Sequence, residues 1–355
     1  MNTAPNSLPK YRQIYSLLLS RIEKGIYPPE SRLPSKRQIA SENGCSLVTA
    51  ETALGMLCEE GLIESRERSG YFVCAKAEPI IHCPFEIHLL DEAKPETYDD
   101  FPVSLWFKTM RRVMSEKQDL LLQKSEPQGS ARLRNVLALY LWQNRQMQVQ
   151  PEQIVIAPGA EALYETVLKM FQKDFAAVIE SPCYSKIETV YRQYGCKIDA
   201  VPMRKDGLDS AALAASECEF LHVTPYCSFP SGISTSAAKR KEYLLWIQKR
   251  KGYIIEDDVS SEFLKSGPVL PSLYSLDRHE KVIYLSTFSM SMSPALRLGY
   301  MILPGHLLPL YQKTAGLFSN PVTMLEQYTL AEFIESGSYA RLLRRRKNGQ
   351  KNTKP

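Results

Sequence analysis

The 355-residue sequence has eight cysteines but no CxxC pair and no paired spacing. It therefore offers neither the close thiol pairs of a zinc site nor a disulfide framework. No metal centre is expected, and the thiols read as reduced ones of a cytoplasmic protein. The N-terminus, MNTAPNSLPKYRQ, lacks the apolar stretch of a signal peptide. No uncharged apolar run is long enough to span a bilayer, so a membrane role is not expected either. Glycine is scarcer than proline, 17 against 23, which favours ordered loops over flexible linkers. No internal repeat is present. A general excess of positive charge is missing too. The net charge is +5, but Arg341, Arg344, Arg345, Arg346, Lys347, Lys351 and Lys354 lie in one acid-free C-terminal stretch. The rest of the chain is slightly acidic, and residues 1–74 are near neutral. Any case for nucleic acid has to rest on pattern and placement, not on net charge.

The hydrophobic fraction of 44% is enough for a normal core, and the length exceeds one average domain. Tyr11 to Lys24 reads as an amphipathic helix with Ile14, Leu17, Leu18 and Ile22 on one face, stopped by Gly25. Pro28 and Pro29 break the chain. Ser35 is placed to cap a second helix that ends near Asn43-Gly44, and Ser46 to cap a third with the stripe Ala50, Ala53, Leu54 and Leu57. Gly61-Leu62-Ile63 opens a strand, residues 66–70 form a hairpin tip, and Tyr71-Phe72-Val73 is the return strand. Two short helices joined by a tight turn and followed by a hairpin form a winged helix-turn-helix.

That geometry places Ser46 and Thr49, at the start of the third helix, in a major groove. Ser35, Lys36 and Arg37 open the preceding helix, where N–H groups and basic side chains meet phosphate. Arg66 and Arg68 on the wing reach the minor groove or the backbone. A single surface arginine is more often a solvated charge, and a single serine only a cap. Their common order and spacing favour the DNA reading. The run from Leu33 to Val73 resembles the GntR family of winged-helix repressors. The likeness rests on Leu33-Pro34-Ser35-Lys36-Arg37, Cys45-Ser46-Leu47-Val48-Thr49 and Arg68-Ser69-Gly70-Tyr71-Phe72-Val73. It adds Ser69 and Gly70 to the expected DNA-binding residues. Leu47 stands where the family usually has an arginine that contacts DNA, which implies weaker binding or a changed sequence preference.

Residues 77–97 read as a linker. From about residue 98 buried strands alternate with helices: 153–157, 176–180, 220–223, 253–256 and 282–285. This rhythm predicts an α/β unit with a mainly parallel sheet and helices on both faces. Chemistry-capable residues follow several strands, where such sheets bind ligands. Gly159-Ala160-Glu161 opens a helix whose N–H groups can hold a phosphate. Asp257-Asp258 and Thr287-Phe288-Ser289 follow two others, with Arg297 a few residues on. Taken singly, these are a plain strand-to-helix turn, a helix cap and a structural ion pair.

Taken together they resemble the fold-type I aminotransferases that bind pyridoxal phosphate, and above all the MocR group, in which a GntR domain is fused to such a domain. The matching runs are Glu126-Pro127-Gln128-Gly129, Ser181-Pro182-Cys183-Tyr184, Val223-Thr224-Pro225, Phe229-Pro230-Ser231-Gly232, Ile255-Glu256-Asp257-Asp258, Ser261-Glu262-Phe263 and Ser286-Thr287-Phe288-Ser289 with Leu296-Arg297-Leu298-Gly299-Tyr300. The resemblance implies pyridoxal phosphate as cofactor, with Asp257 facing the pyridine nitrogen and Tyr184 stacking on the ring. Gly159, Ala160, Thr287, Ser289 and Arg297 would hold the phosphate. It also implies a homodimer and a pseudo-palindromic DNA operator, with a small molecule as effector.

The departures from that family are as specific as the matches. Met290 stands where the family has the lysine that forms the Schiff base, and a thioether cannot condense with an aldehyde. Val259 replaces a tyrosine that bonds the ring hydroxyl, and Lys124 one that bonds the phosphate. Tyr226, Cys227 and Ser228 replace Ser, His and Gln. The chain stops soon after Leu325-Glu326-Gln327 and the helix that follows, whereas the family continues into a small C-terminal subdomain carrying the substrate-carboxylate arginine. The expected organisation is a winged helix-turn-helix at 1–76, the linker, an aminotransferase-like domain at 98–335 lacking that subdomain, and a basic tail at 336–355. The tail reads as the end of a surface helix, Tyr339 to Arg346, and a disordered terminus; extra phosphate contacts on DNA are the alternative. The expected function is a DNA-binding regulator with a degenerate aminotransferase-like domain for dimerisation or sensing, with no catalytic residue. The alternatives are a working pyridoxal-phosphate enzyme and a truncated, non-functional family member.

Overall fold

The computed structural model describes residues 9–67, 69–74, 101–172, 175–263 and 270–352. The residues assigned to a linker, 77–97, lie outside the described residues, as does Arg68. The chain forms two compact units, Met1–Lys94 and Pro95–Pro355.

The first unit contains α1 (Lys10–Glu23), α2 (Lys36–Glu42), α3 (Leu47–Glu59), β1 (Ile63–Arg66) and β2 (Gly70–Val73). Helices α1 and α2 pack on α3. Ile14, Leu18, Leu33, Ile39, Ala50, Ala53, Leu54, Leu57, Ile63 and Val73 make its core. Leu17 departs from the expected stripe: it is 37% exposed, because Ile14 and Leu18, four residues apart, already fill the face toward α3. Gly44 turns the chain between α2 and α3 at φ +56°, a left-handed conformation that a side chain disfavours. The hairpin pairs Ile63 with Val73 and Arg66 with Gly70. It is extended on the far side by the chain before α2, where Leu33 N–H donates to Tyr71 O and Val73 N–H to Ser31 O.

The second unit begins with α4 (Val103–Glu116), α5 (Gln118–Leu121) and α6 (Ala131–Arg145), and then alternates: β3 (Ile154–Ala157), α7 (Ala160–Phe171), β4 (Ala176–Ser181), α8 (Ser185–Gln193), β5 (Lys197–Arg204), β6 (Gly207–Leu208), α9 (Ser210–Ala215), β7 (Phe220–Val223), α10 (Ala237–Gln248), β8 (Ile254–Asp257), α11 (Leu273–Leu276), β9 (Val282–Thr287) and β10 (Gly299–Ile302). Helices α12 (Leu308–Lys313), α13 (Met324–Glu335) and α14 (Ser338–Asn352) complete it. The sheet order is β3-β10-β9-β8-β7-β4-β5-β6. Strands β9, β8, β7, β4 and β5 are parallel neighbours, while β10 runs antiparallel between β9 and β3.

Alternate residues of each buried strand feed opposite faces. Val155, Ala157, Ile283 and Leu285 pack with α7, α8 and α12 on one side. Ile154, Ile156, Tyr284 and Tyr300 pack with α6, α13 and α14 on the other, and Val178, Leu221 and Val282 meet α10 further along. Strand β5 escapes the sequence pattern because it is half exposed, has no apolar run and contains Pro202. Strand β10 begins with a glycine, which weakens the strand signal.

The C-terminal segment differs from a detached basic tail. Helix α14 is anchored by Tyr339, Leu342 and Leu343, which are buried in the core beside α6 and β10. Arg346 donates to the carbonyls of Met290 and Met292 at 2.7 and 2.9 Å. Lysines and arginines outnumber apolar residues here, so composition conceals the one face that packs. Residues 353–355 lie outside the described residues. Among the described residues no helix is long and apolar enough to cross a membrane.

Gln327 on α13 ties the start of α6 to the rest of the unit. It is fully buried, accepts Ser130 N–H at 2.6 Å, and donates to Ser125 Oγ and Val322 O, both at 2.8 Å. Replacing it with leucine strands the buried Ser130 N–H. A loss of about 1–3 kcal/mol is expected, seen as a lower urea midpoint at unchanged slope. Trp106, Trp142 and Trp246 are the chain's three tryptophans and all lie in this unit, so their fluorescence follows its unfolding.

Candidate nucleic-acid interface and cofactor site

In the first unit both expected caps are formed. Ser35 Oγ accepts Gln38 N–H at 3.2 Å and Ser46 Oγ accepts Thr49 N–H at 3.1 Å. Ser46 and Thr49 also share a hydroxyl–hydroxyl bond of 2.8 Å. Lys36 is engaged by Glu51 of α3 at 2.9 Å, whereas Arg37 is exposed and has no ion pair among the described residues. Arg66 is held on the wing by Glu64 at 2.6 Å and lies 4.4 Å from the centre of the Phe72 ring. Ser69 N–H donates to Arg66 O, which closes the wing turn. Gly70 is crowded from outside: a Cβ there would stand 3.3 Å from Arg32 Nε. Arg32, paired through its backbone with Phe72, therefore brings a guanidinium to the wing. Sequence reading passed over it, since nothing before Leu33-Pro34-Ser35 signals pairing with a hairpin forty residues on.

In the second unit the candidate cofactor residues gather at the C-terminal edge of the parallel strands. Gly159 caps α7 at φ +88°, and a Cβ on it would lie 3.3 Å from Arg297 Cζ and Nη2. The guanidinium thus occupies the space that the absent side chain leaves beside the first turn of α7. Gly299 pairs with both Ala157 and Thr287, so β10 holds the ends of β3 and β9 side by side. Thr287 and Ser289 are brought in that way. Arg297 Nη2 lies 3.5 Å from Glu161, whose other oxygen is 3.8 Å from Lys186. Tyr184 stands at the start of α8 and is 40% exposed.

Asp257 ends β8 and is buried. Its Oδ2 accepts the hydroxyl of Tyr164 and lies 3.6 Å from His222 Nε2. Among the described residues its Oδ1 is buried without a partner, as is His222 Nε2, while His222 Nδ1 bonds Tyr191 at 2.6 Å. Burial first, then the Asp257 charge, pushes the Tyr164 phenol well above its usual range, so it remains a donor. The sequence carried one signal for Tyr164: it lies four residues after Ala160, on the same face of α7. Asp258 points elsewhere, to Arg145 at 2.9 Å, Tyr284 and Ser261. Met290 is 60% exposed. Lys124 is exposed, and Lys186 lies 3.8 Å from Glu161.

Residues 10–73 match the family of bacterial regulatory proteins called the gntR family, and residues 96–341 match aminotransferase class I and II. The chain belongs to the GntR/MocR-type transcriptional regulators with an aminotransferase-like domain. Such chains are similar to it along nearly the whole length. The uncharacterized HTH-type transcriptional regulator YdeL of Bacillus subtilis (strain 168) is 30% identical over 351 residues, covering 95% of this chain and 76% of that one. The probable rhizopine catabolism regulatory protein MocR of Rhizobium meliloti is 26% identical, covering 95% and 74%. Among solved structures, LysN of Thermus thermophilus, an alpha-aminoadipate aminotransferase complexed with N-(5'-phosphopyridoxyl)-L-leucine, is 28% identical with a TM-score of 0.63. It covers 70% of this chain, which spans only 64% of that enzyme. The aminotransferase-like half of this GntR/MocR-type regulator thus has the family fold, of a class that normally binds pyridoxal phosphate.

Glu180, near the end of β4, reaches the loop after β7. It accepts Thr224 N–H at 3.0 Å and the Ser228 hydroxyl. Burial, with the Asp257 charge adding to it, pushes its carboxyl up to about 7 despite those bonds. In the unfolded chain a glutamate titrates near 4.3. The folded state therefore holds the extra proton between these values, and the regulator loses stability as pH rises from about 4.5 to about 7. Glu180→Gln is expected to flatten the fall in urea midpoint between pH 5 and 7.5. An unchanged slope would show that the group is ionised throughout.

Proposed function

We propose that the protein is a homodimeric regulator that binds a pseudo-palindromic operator in the cytoplasm. Its aminotransferase-like unit serves dimerisation and small-molecule sensing and does not catalyse transamination. The observation that carries this is the conjunction of an intact, separately cored winged helix-turn-helix with a cofactor cup that has methionine at position 290. Ser46 and Thr49 enter the major groove. The N–H groups at the start of α2, with Ser35, Lys36 and Arg37, take phosphate. Arg66, Arg68, Ser69 and Gly70 form the wing contact. Lys36 serves this role through its ion pair, holding α2 against α3 as well as facing the backbone. Two-fold symmetry of the dimer sets the spacing of the half-sites.

The residues of the cup fit pyridoxal phosphate as a reversible ligand. The unpartnered Asp257 Oδ1 suits a protonated ring nitrogen, since a buried carboxylate oxygen without a donor is costly. The Arg297 guanidinium beside the first turn of α7 suits a phosphate, with Ala160 N–H, Thr287 and Ser289 as further donors. Tyr184 covers the ring. When bound, the group supplies an electron-withdrawing ring and an aldehyde. Met290 offers neither an amine to the aldehyde nor a base for proton transfer, so the chain holds its ligand without a covalent bond. The 60% exposure of Met290 supports this reading, as does the placement of Lys186 beside Glu161.

Titration with pyridoxal phosphate is expected to give a saturable absorbance change, and Arg297→Ala to weaken it about tenfold or more. Borohydride reduction followed by mass spectrometry should leave the chain mass unchanged; an adduct would restore the enzymatic alternative. On DNA, Arg37→Ala should weaken binding about equally for all sequences and lower the salt slope by about 1. Binding that shows no sequence preference at any salt concentration would defeat the regulator reading.

A further inference from the structure

The surface that α3 offers to a major groove is apolar. On its outward face Val48 is 71% exposed and Leu47 45% exposed, with Glu51 and Thr52 one turn further on. The polar atoms around them are already used. Ser46 Oγ and Thr49 Oγ1 bond each other at 2.8 Å, and Thr52 Oγ1 donates to the Val48 carbonyl at 2.9 Å. That second bond turns the methyl of Thr52 away from the helix backbone it grips. Glu51 is engaged by Lys36 at 2.9 Å. No arginine, lysine, asparagine or glutamine stands on this part of α3, so the side chains that read guanine or adenine by paired hydrogen bonds are missing. The guanidinium groups of Arg32, Arg37 and Arg66 belong to other elements: the strand-like segment before α2, α2 itself and the wing.

We propose that Leu47 and Val48 read the 5-methyl groups of thymine, so that each operator half-site carries thymine facing the first turn of α3. This rests on the DNA-binding reading given above and names what that face recognises. Thymine is the one DNA base with a methyl in the major groove, and it pairs with short apolar side chains by contact alone. The pair is exposed, whereas the core residues of α3, Ala50, Ala53, Leu54 and Leu57, are fully buried. Phosphate contacts from α2 and the wing then set register, and the methyl contacts set sequence.

Uracil isolates the effect, because it keeps every hydrogen-bonding group of thymine and lacks only the methyl. The full chain is used to enrich an operator from a random-sequence duplex pool. Thymines of the enriched duplex are then replaced by uracil one at a time. One or two positions per half-site are expected to lose about fourfold in affinity each, the value of burying one methyl-sized group. In the double variant Leu47→Ala/Val48→Ala the thymine-to-uracil ratio at those positions should fall to about one. Circular dichroism confirms that this surface change leaves the fold in place. Leu47→Arg should redirect enrichment toward guanine. An enriched duplex that binds equally well with uracil at every position overturns the methyl reading while the regulator reading stands. Discrimination that persists in the double variant overturns it as well. If the wild-type chain enriches no sequence, both readings fall.

Discussion

A carboxylate buried at the end of a strand, with one oxygen held and the other unmet, is the constraint around which the larger unit is arranged. Asp257 takes one hydrogen bond from Tyr164, which reaches it from α7, the same helix whose first turn backs onto Arg297. His222 and Tyr191 close the next shell from β7 and α8. Leaving a charged oxygen unpaired in the interior costs on the order of 1–3 kcal/mol or more. The fold nevertheless keeps it, surrounded by tyrosines whose phenols burial holds in the donor form. A site with no ligand to meet would be more stable with an apolar residue there. That arrangement lies in the same unit as Gly159, whose missing side chain makes room for the Arg297 guanidinium.

The chemistry itself depends on a different position. A Schiff base needs an amine at the right place, and Met290 has none. The loop that carries Met290 is still firmly held, by Arg346 of α14 through the carbonyls of Met290 and Met292. Tyr339 of the same helix donates to buried Glu262, which Tyr140 of α6 also bonds. The C-terminal helix thus belongs to the packing of the larger unit and supports the rim of the cup. The smaller unit follows a separate logic. Helices α2 and α3 are capped by serines, the hairpin is pinned by the chain before α2, and Leu47 and Val48 face outward from α3.

Much of this was legible in the residues. The three helices and the hairpin of the first unit lie where Ser35, Ser46 and the stripe Ala50, Ala53, Leu54 and Leu57 put them, because caps and helical periodicity are local signals. The five buried strands β3, β4, β7, β8 and β9 announced themselves as short apolar runs. Strand β5 did not, being half exposed and interrupted by Pro202. Leu17 misled because it sits at the margin of an amphipathic stripe, where helix rotation against α3 decides burial. Helix α14 reads as a surface helix from Tyr339 to Arg346, and its packed face is concealed because Tyr339, Leu342 and Leu343 are thinly spread among basic residues.

By itself, then, the sequence determined the two kinds of unit and their order. These depend on spacing, capping and chemical identity, which are properties of the chain read linearly. Only the tertiary structure decided which polar groups are already spoken for. Lys36 is bound to Glu51, Arg66 to Glu64 and Phe72, Tyr164 to Asp257, while Asp257 Oδ1 is left without a donor. Two of these pairings, Lys36–Glu51 and Tyr164–Asp257, join residues 15 and 93 positions apart. They depend on how helices and strands pack in three dimensions, and no local pattern encodes that.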